Sequence, residues 1–201
     1  MAGLLSNLRN TLIVAFILAI ILIAGYASHH GSADPIFWQA VFRWLHTTFG
    51  ILWIGLLYYF NFVQIRKMPE IPAELKPAVS KYIAPEALFW FRWAALLTWV
   101  VGVFLAFHRG YLVEAFTLGA TENFGNPGHI LIGIGMWLAT IMFFNVWAFI
   151  WPAQKIALGM VEADADAKAA ATRKAMLFSR TNTLLSLPML VTMTMSQTIF
   201  G

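Results

Sequence analysis

The stretch from Pro35 to Met68, PIFWQAVFRWLHTTFGILWIGLLYYFNFVQIRKM, is a long apolar run that also carries polar residues along one side. Read as a helix at about 100° per residue, it gathers these residues within an arc of roughly 80°. The arc holds Arg43, His46, Gly50, Trp53, Leu57, Asn61 and Gln64. An unsatisfied polar group in hydrocarbon costs several kcal/mol, so this side must face the interior of a protein. The stretch therefore predicts a membrane-spanning helix packed against other helices.

The composition of the whole chain is that of an integral membrane protein. Hydrophobic residues make up 60% of 201 residues and charged residues 11%, and the mean hydropathy is +0.73. The net charge is +4, but the basic residues flank apolar runs, which predicts contact with a lipid bilayer and not with nucleic acid. The absence of cysteine excludes disulfides, thiolate metal sites, iron–sulfur clusters and covalently attached haem c.

Five apolar runs predict an all-α fold, one bundle of about five transmembrane helices. We place the spans at about residues 11–27, 36–65, 82–107, 129–156 and 177–200. With five crossings, nine basic residues fall on one side and Arg109 alone on the other. The nine are Arg9, Arg66, Lys67, Lys76, Lys81, Lys155, Lys168, Arg173 and Lys174. By the positive-inside rule we expect a cytoplasmic amino terminus and an outside carboxyl terminus, in the cytoplasmic membrane of a bacterium.

His46, with Arg43 one turn before it and Gly50 one turn after it, is the strongest candidate for chemistry. A neutral imidazole inside a bundle is a good ligand for haem iron, a small neighbour makes room for a porphyrin, and an arginine pairs with a propionate. His129 is the candidate for a second ligand, with five-coordinate iron or a methionine ligand as alternatives. A plainer interpretation also stands, in which His46 only hydrogen-bonds a neighbouring helix, Gly50 only permits close packing and Arg43 reaches the membrane surface.

A second group of polar residues is predicted in the cytoplasmic half of the bundle. Glu86 and Arg92 lie in the third span, and Arg180 and Asn182 lie in the fifth. Ionisable groups inside a membrane are candidates for a proton route or for a quinone or substrate pocket. The alternative is that Glu86 forms a structural ion pair with Arg92 or Arg180.

Four segments carry a family resemblance: FRWLHTTFGILWIGLLYYFNFVQ, YIAPEALFWFRWAALLTWVVGVFLAF, LATIMFFNVWAFIWPAQKIAL and SRTNTLLSLPMLVTM. In this order they resemble the helices of the membrane domain of the bacterial membrane-bound urate oxidase, or urate hydroxylase, family. That family joins its membrane domain to a cytochrome c and is assigned oxidation of urate. The resemblance implies that His46 matches a family histidine and Arg43 the basic position before it. It also implies that polar positions of the later motifs correspond to Glu86, Arg92, Asn145, Gln154 and Asn182.

The chain also departs from the family pattern. It has no CxxCH segment, and it carries Gly133, Thr181 and Gln197 where family histidines are expected. The resemblance therefore predicts a shortened relative without the cytochrome c domain.

Two functional hypotheses follow. The first is a redox-associated membrane protein that holds haem b at His46 and exchanges electrons with a separate c-type cytochrome or a quinone; if it is an enzyme, it is an oxidoreductase. The second is a cofactor-free accessory subunit of a larger, respiratory-type membrane complex.

Overall fold

The computed structural model describes residues 2–30 and 34–200, with only the backbone of His30, and these residues are helical almost throughout. Within these two ranges no strand occurs. A helical turn, Ala2–Leu5, precedes the first long helix, α1, which is Leu8–His30. Helix α2 begins as Pro35–Tyr58, continues as the π-helical segment Tyr59–Gln64 and ends with Ile65–Lys67. The all-helical prediction is confirmed for the described chain.

The remaining helices are also longer than the apolar runs that predict them. A 3₁₀ turn, Met68–Glu70, leads to α3, which consists of Lys76–Ala78, the π-helical segment Val79–Ile83 and Ala84–His108. The short helix α4 is Leu112–Phe116, followed by a 3₁₀ turn at Ala120–Glu122. Helix α5 consists of Pro127–Phe144, the π-helical segment Asn145–Ile150 and Trp151–Ala157. Helix α6 is Ala165–Ile199.

Two of the π-helical segments precede a proline, and the shape of proline explains why the helix widens there. Pro85 follows Val79–Ile83, and Pro152 follows Asn145–Ile150. Proline inside an α-helix clashes with the carbonyl of the fourth residue before it and donates no hydrogen bond. A locally wider turn relieves both problems, so these helices continue past their prolines.

Four helices are long and apolar enough to cross a membrane, namely Leu8–His29, Pro35–Glu70, Lys76–His108 and Pro127–Ala157. Helix α6 is 35 residues long but is not among them, because its first turns are charged and serine, threonine and asparagine follow one face. These four helices support the prediction that the chain is a membrane protein. The fifth crossing, and with it the orientation, stays a prediction.

Polar side chains cap the amino-terminal ends of two helices where these follow connectors. The Asp34 carboxylate accepts a hydrogen bond from the Ile36 amide at 2.8 Å, just before Pro35. The Asn126 side-chain oxygen accepts from the amide of Gly128 at 3.0 Å. These are N-caps, which satisfy amide groups that a helix leaves unpaired at its start.

The bundle is built from two helix pairs. Helix α2 packs along α3, α5 packs along α6, and α4 lies against α5. Helix α1 stands at the edge, where the ring of Tyr26 stacks with that of Phe37 at 6.0 Å. We call the end of the bundle where α3 ends and α5 begins the mouth end, and the opposite end, with Lys67 and Lys76, the far end.

The pairs meet in an apolar core toward the far end. Trp53 is 1% exposed, Leu57 0% and Phe91 1%, and they pack with Met142 and Val146 from α5. Trp53 and Leu57 belong to the side of α2 that the sequence predicts to face inward. That prediction is confirmed.

Candidate ligand cavity

A cavity of about 670 Å³ lies toward the mouth end, between the α2–α3 pair and the α5–α6 pair. Its lining is mostly apolar and includes the aromatic Trp99 and the methionines Met136, Met189 and Met193. The volume falls within the range of about 300 to 1,000 Å³ that is usual for sites of small organic ligands. His46 and the mouth end of α2 form one wall.

The His46 side chain is held in one tautomer. Its Nδ1 lies 2.9 Å from the backbone carbonyl oxygen of Thr98 on α3. Because a carbonyl can only accept, Nδ1 carries the hydrogen and Nε2 keeps its lone pair. No hydrogen bond to Nε2 occurs among the described residues. A histidine that binds a metal is oriented in the same way, with one ring nitrogen donating to a carbonyl and the other free.

Gly102 on α3 is the residue that makes room for this ring. A Cβ atom at Gly102 would lie 2.8 Å from Cε1 and 2.9 Å from Nδ1 of His46, so the imidazole rests directly on the α3 backbone. Gly50 also lines the cavity, but a Cβ there would meet only Thr98 Cγ2 at an ordinary 3.8 Å. The sequence singles out Gly50, whereas the structure makes Gly102 the more demanding position.

Four polar residues meet where the cavity opens at the mouth end, and we call them the mouth cluster: Arg43, Arg109, Tyr111 and Gln197. Arg43 Nη2 donates to Gln197 Oε1 at 3.1 Å, and Arg109 Nη1 donates to the same oxygen at 2.8 Å. The Arg109 guanidinium also lies 5.7 Å from the centre of the Tyr111 ring. Burial raises the pKa of the Tyr111 phenol, against the opposing effect of the two arginines and the hydrogen bond to Gln197.

Two further polar groups of the cavity have partners. Trp99 Nε1 donates to Thr140 Oγ1 at 3.0 Å. Tyr58, at the deep end, shares a hydrogen bond of 3.0 Å with Ser186 Oγ. The free ring nitrogen of His46 and the unused N–H groups of Arg43 are therefore groups on this lining that can still bind a ligand.

The structure does not bring His129 to the cavity. Its Nδ1 lies 2.7 Å from Glu122 Oε2, and its Nε2 lies 3.3 Å from Asn126 Nδ2. Both ring nitrogens thus have partners in the connector before α5. Among the ligands considered for a second position, the methionines line the cavity and His129 does not.

The four residues predicted to share a pocket in the other half differ in exposure and in their partners. Glu86 is exposed and accepts a hydrogen bond from Trp90 Nε1 at 2.8 Å, while the Arg92 guanidinium lies 3.5 Å from the centre of the Trp151 ring. Arg180 is exposed, and Asn182 is fully buried. Within the described ranges no ion pair or hydrogen bond joins any two of the four.

Asn182 belongs to a closed network between α5 and α6. Its Oδ1 accepts from Asn145 Nδ2 at 2.9 Å, and its Nδ2 donates to the Met142 carbonyl at 2.9 Å. Both asparagines are buried. This arrangement is suited to holding two helices together.

Sequence reasoning missed Gly102 and most of the mouth cluster. One available signal was that Arg109 is the only basic residue outside the spans on its predicted side. Gln197 is marked in the sequence only as a position where the family resemblance expects a histidine, and Tyr111 carries no signal, because the role of both depends on which helix ends meet.

Comparison with known proteins supports the resemblance of the later helices. Residues 106–198 match the model of a family described as urate oxidase N-terminal. The match covers slightly less than half of the chain, from the end of α3 through most of α6, and leaves out α2 with His46. No curated protein matches the chain, and no solved structure matches it.

Proposed function

We propose that this relative of the urate oxidase N-terminal family is a redox-associated membrane protein that holds haem b beside His46. In this proposal it exchanges electrons with a separate c-type cytochrome or a quinone. The observation that carries the proposal is the His46 ring, with Nδ1 fixed at 2.9 Å from the Thr98 carbonyl and Nε2 free, on the wall of a cavity of about 670 Å³.

The residues present fit haem b. A neutral imidazole, apolar walls and an arginine near the opening are what a non-covalently held haem requires, and each is found here. His46 would be the iron ligand, and Arg43 would pair with a propionate. Haem supplies reversible one-electron transfer when it is bound.

The chain's own residues have separate tasks in this proposal. The Thr98 carbonyl orients the imidazole and holds its hydrogen on Nδ1, which leaves the lone pair on Nε2. The apolar lining excludes water, which favours the iron state of lower charge and so affects the reduction potential. Met136, Met189 and Met193 line the same cavity, and one of them could serve with His46 in holding the haem.

The predicted orientation places the opening on the outside of the cytoplasmic membrane. A c-type cytochrome on that side could approach the mouth end, while a quinone would reach the cavity from within the bilayer. The two partners differ in where they dock, so oxidation of the reduced protein by soluble cytochrome c, compared with oxidation by a quinone in the membrane, distinguishes them.

The direct test is the spectrum of the purified full-length protein from haem-replete cells. We expect reduced-minus-oxidised bands of a b-type haem and about one haem per chain by pyridine haemochrome analysis. His46→Ala should abolish the haem. His108→Ala is the matched control and should retain it, because His108 lies in the last turn of α3, bonded to the Phe104 carbonyl and outside the cavity. A colourless, iron-free wild-type preparation would refute the proposal.

The second candidate, an accessory subunit without a cofactor, is favoured by α1. No residue in its most apolar window is buried in the bundle, so this helix has faces free to pack against another membrane protein. Purification in mild detergent followed by mass spectrometry tests this candidate. Stoichiometric partners without haem would favour it, and a haem-loaded protein without partners would exclude it.

A further inference from the structure

Two positively charged side chains converge on one neutral oxygen in the mouth cluster. Arg43 comes from α2, Arg109 follows the last turn of α3, and both donate to Gln197 Oε1 of α6, at 3.1 Å and 2.8 Å. Arginine stays charged at any pH that a protein experiences. The two guanidinium groups therefore repel one another across a shared acceptor that carries no charge.

Within residues 2–30 and 34–200, neither arginine has an acidic partner to offset this repulsion. Glu70 pairs with Lys67 near the far end, and Glu122 lies 2.7 Å from Nδ1 of His129 in the connector before α5. The side-chain acceptor that both arginines share is the neutral Gln197 amide. An anion bound between the two guanidinium groups would offset their repulsion.

The mouth cluster also has more donors than acceptors. Each guanidinium has five N–H groups, and the recorded contacts occupy one on each arginine. The Tyr111 phenol is protonated at neutral pH, as an ordinary phenol is, and burial raises its pKa further. A carboxylate, which only accepts hydrogen bonds and binds arginine in a bidentate manner, complements such a set.

We propose that the mouth cluster binds the propionate carboxylates of the haem whose iron His46 ligates. This inference rests on the proposed function. Arg43, Tyr111 and Gln197 line the same cavity as His46, and Arg43 precedes His46 by three residues, or ~4.5 Å along the helix. A ligand of this cavity needs an apolar body, a centre that binds a neutral ring nitrogen and an anionic end. Gln197 is then a positioning residue that holds the two arginines at the opening.

The test compares haem with its dimethyl ester, which keeps the iron and the porphyrin but has no carboxylates. Each is titrated into full-length apo protein in detergent, with protein-free micelles as the blank. We expect the wild type to bind haem about tenfold or more tightly than the ester, the size expected for charge-assisted hydrogen bonds. Arg109→Gln should weaken haem binding by about tenfold and leave ester binding unchanged, and Arg43→Gln should do the same.

The matched control is Arg66→Gln, which removes an exposed arginine near the far end and should leave both affinities unchanged. Melting temperatures show whether each variant is folded. If Arg109→Gln does not fold, Arg43→Gln provides the same test. Equal wild-type binding of haem and ester, or equal loss of both in the variants, would overturn the role of the mouth cluster while the haem site stands. Failure of the wild type to bind either compound would refute the proposed function itself, and this inference with it.

Discussion

The two halves of the bundle use similar polar residues in different ways. Toward the mouth end the helix pairs stand apart around the cavity, and His46 keeps a ring nitrogen without a partner. Toward the far end the same pairs are in contact, and Asn145 and Asn182 bind each other and the Met142 carbonyl. A buried polar group that is fully paired holds helices together, whereas one with a free lone pair beside a cavity can bind a ligand.

The far half is not uniformly satisfied, which sharpens the contrast. Four buried side-chain atoms have no hydrogen-bond partner among the residues described: Trp53 Nε1, Asn61 Oδ1, Gln64 Oε1 and Trp147 Nε1. Three of them belong to the π-helical segments Tyr59–Gln64 and Asn145–Ile150. These atoms have almost no accessible surface, so a ligand does not reach them, although the Trp53 ring is part of the cavity lining.

The largest effect should follow from breaking the asparagine network. Asn182→Leu keeps the number and branching of the side-chain heavy atoms but leaves Asn145 Nδ2 without its acceptor, which we expect to lower the free energy of unfolding by about 2 kcal/mol. Haem content should not change, because Asn182 does not line the cavity. Thermal unfolding in detergent measures the first quantity and pyridine haemochrome analysis the second.

The control for this substitution is Thr181→Val, one residue away and exposed, whose hydroxyl bonds only the Leu177 carbonyl of its own helix. It should leave stability nearly unchanged. If Asn182→Leu lost haem without losing stability, the division between a structural half and a binding half would be wrong.

The next effect belongs to the mouth half and separates its two glycines. Gly102→Ala would place a methyl group 2.8 Å from His46 Cε1, so the ring must leave its hydrogen bond with Thr98. We expect haem affinity to fall by about tenfold, the equivalent of about 1.4 kcal/mol. Gly50→Ala is the matched control, since its methyl group would make only an ordinary contact of 3.8 Å. Equal results for the two alanines would contradict the role assigned to Gly102.

The sequence could predict which side of each helix faces inward, but not which residues meet across helices. The side of α2 with His46, Trp53 and Leu57 follows from the period of the helix alone, and the structure confirms it. Helix rotation and axial shift decide that His46 lies on Gly102, 56 positions later. Neither quantity is encoded in the period of one helix.

The same limit explains the other differences. Arg43 and Gln197 meet although they are 154 positions apart, which no local pattern indicates. His129 has the residue type of a haem ligand, but Glu122, seven positions earlier in a connector with turn residues, takes its Nδ1. The predicted pocket of Glu86, Arg92, Arg180 and Asn182 stays a prediction, because it depends on how the third and fifth spans face one another and no local pattern gives that.

A smaller effect is expected where the two halves meet. Tyr58 lines the deep end of the cavity, and its hydroxyl lies 3.0 Å from Ser186 Oγ, which donates to the Thr183 carbonyl at 2.7 Å. Tyr58→Phe removes one hydrogen bond and should lower the free energy of unfolding by about 1 kcal/mol. In a double-mutant cycle with Ser186→Ala the two effects should not add. Additive effects would show that this contact does not link α2 to α6.

The smallest effect concerns the mouth cluster in alkaline solution. Burial raises the pKa of Tyr111 above the value near 10 of the unfolded chain, so the folded protein holds this proton more tightly. Below pH 10 the phenol is protonated in both states, and its contribution to stability is fully present. As the pH rises above 10 the unfolded chain loses the proton first, so that contribution is lost.

Phenylalanine cannot ionise, and Tyr111→Phe should therefore lose stability less steeply than the wild type above pH 10. Melting temperatures recorded from pH 8 to 11 measure this slope. Tyr82→Phe, at a tyrosine that is 78% exposed, is the control and should follow the wild-type curve. If Tyr111→Phe also followed that curve, the pKa of Tyr111 would not be raised by burial in the folded protein.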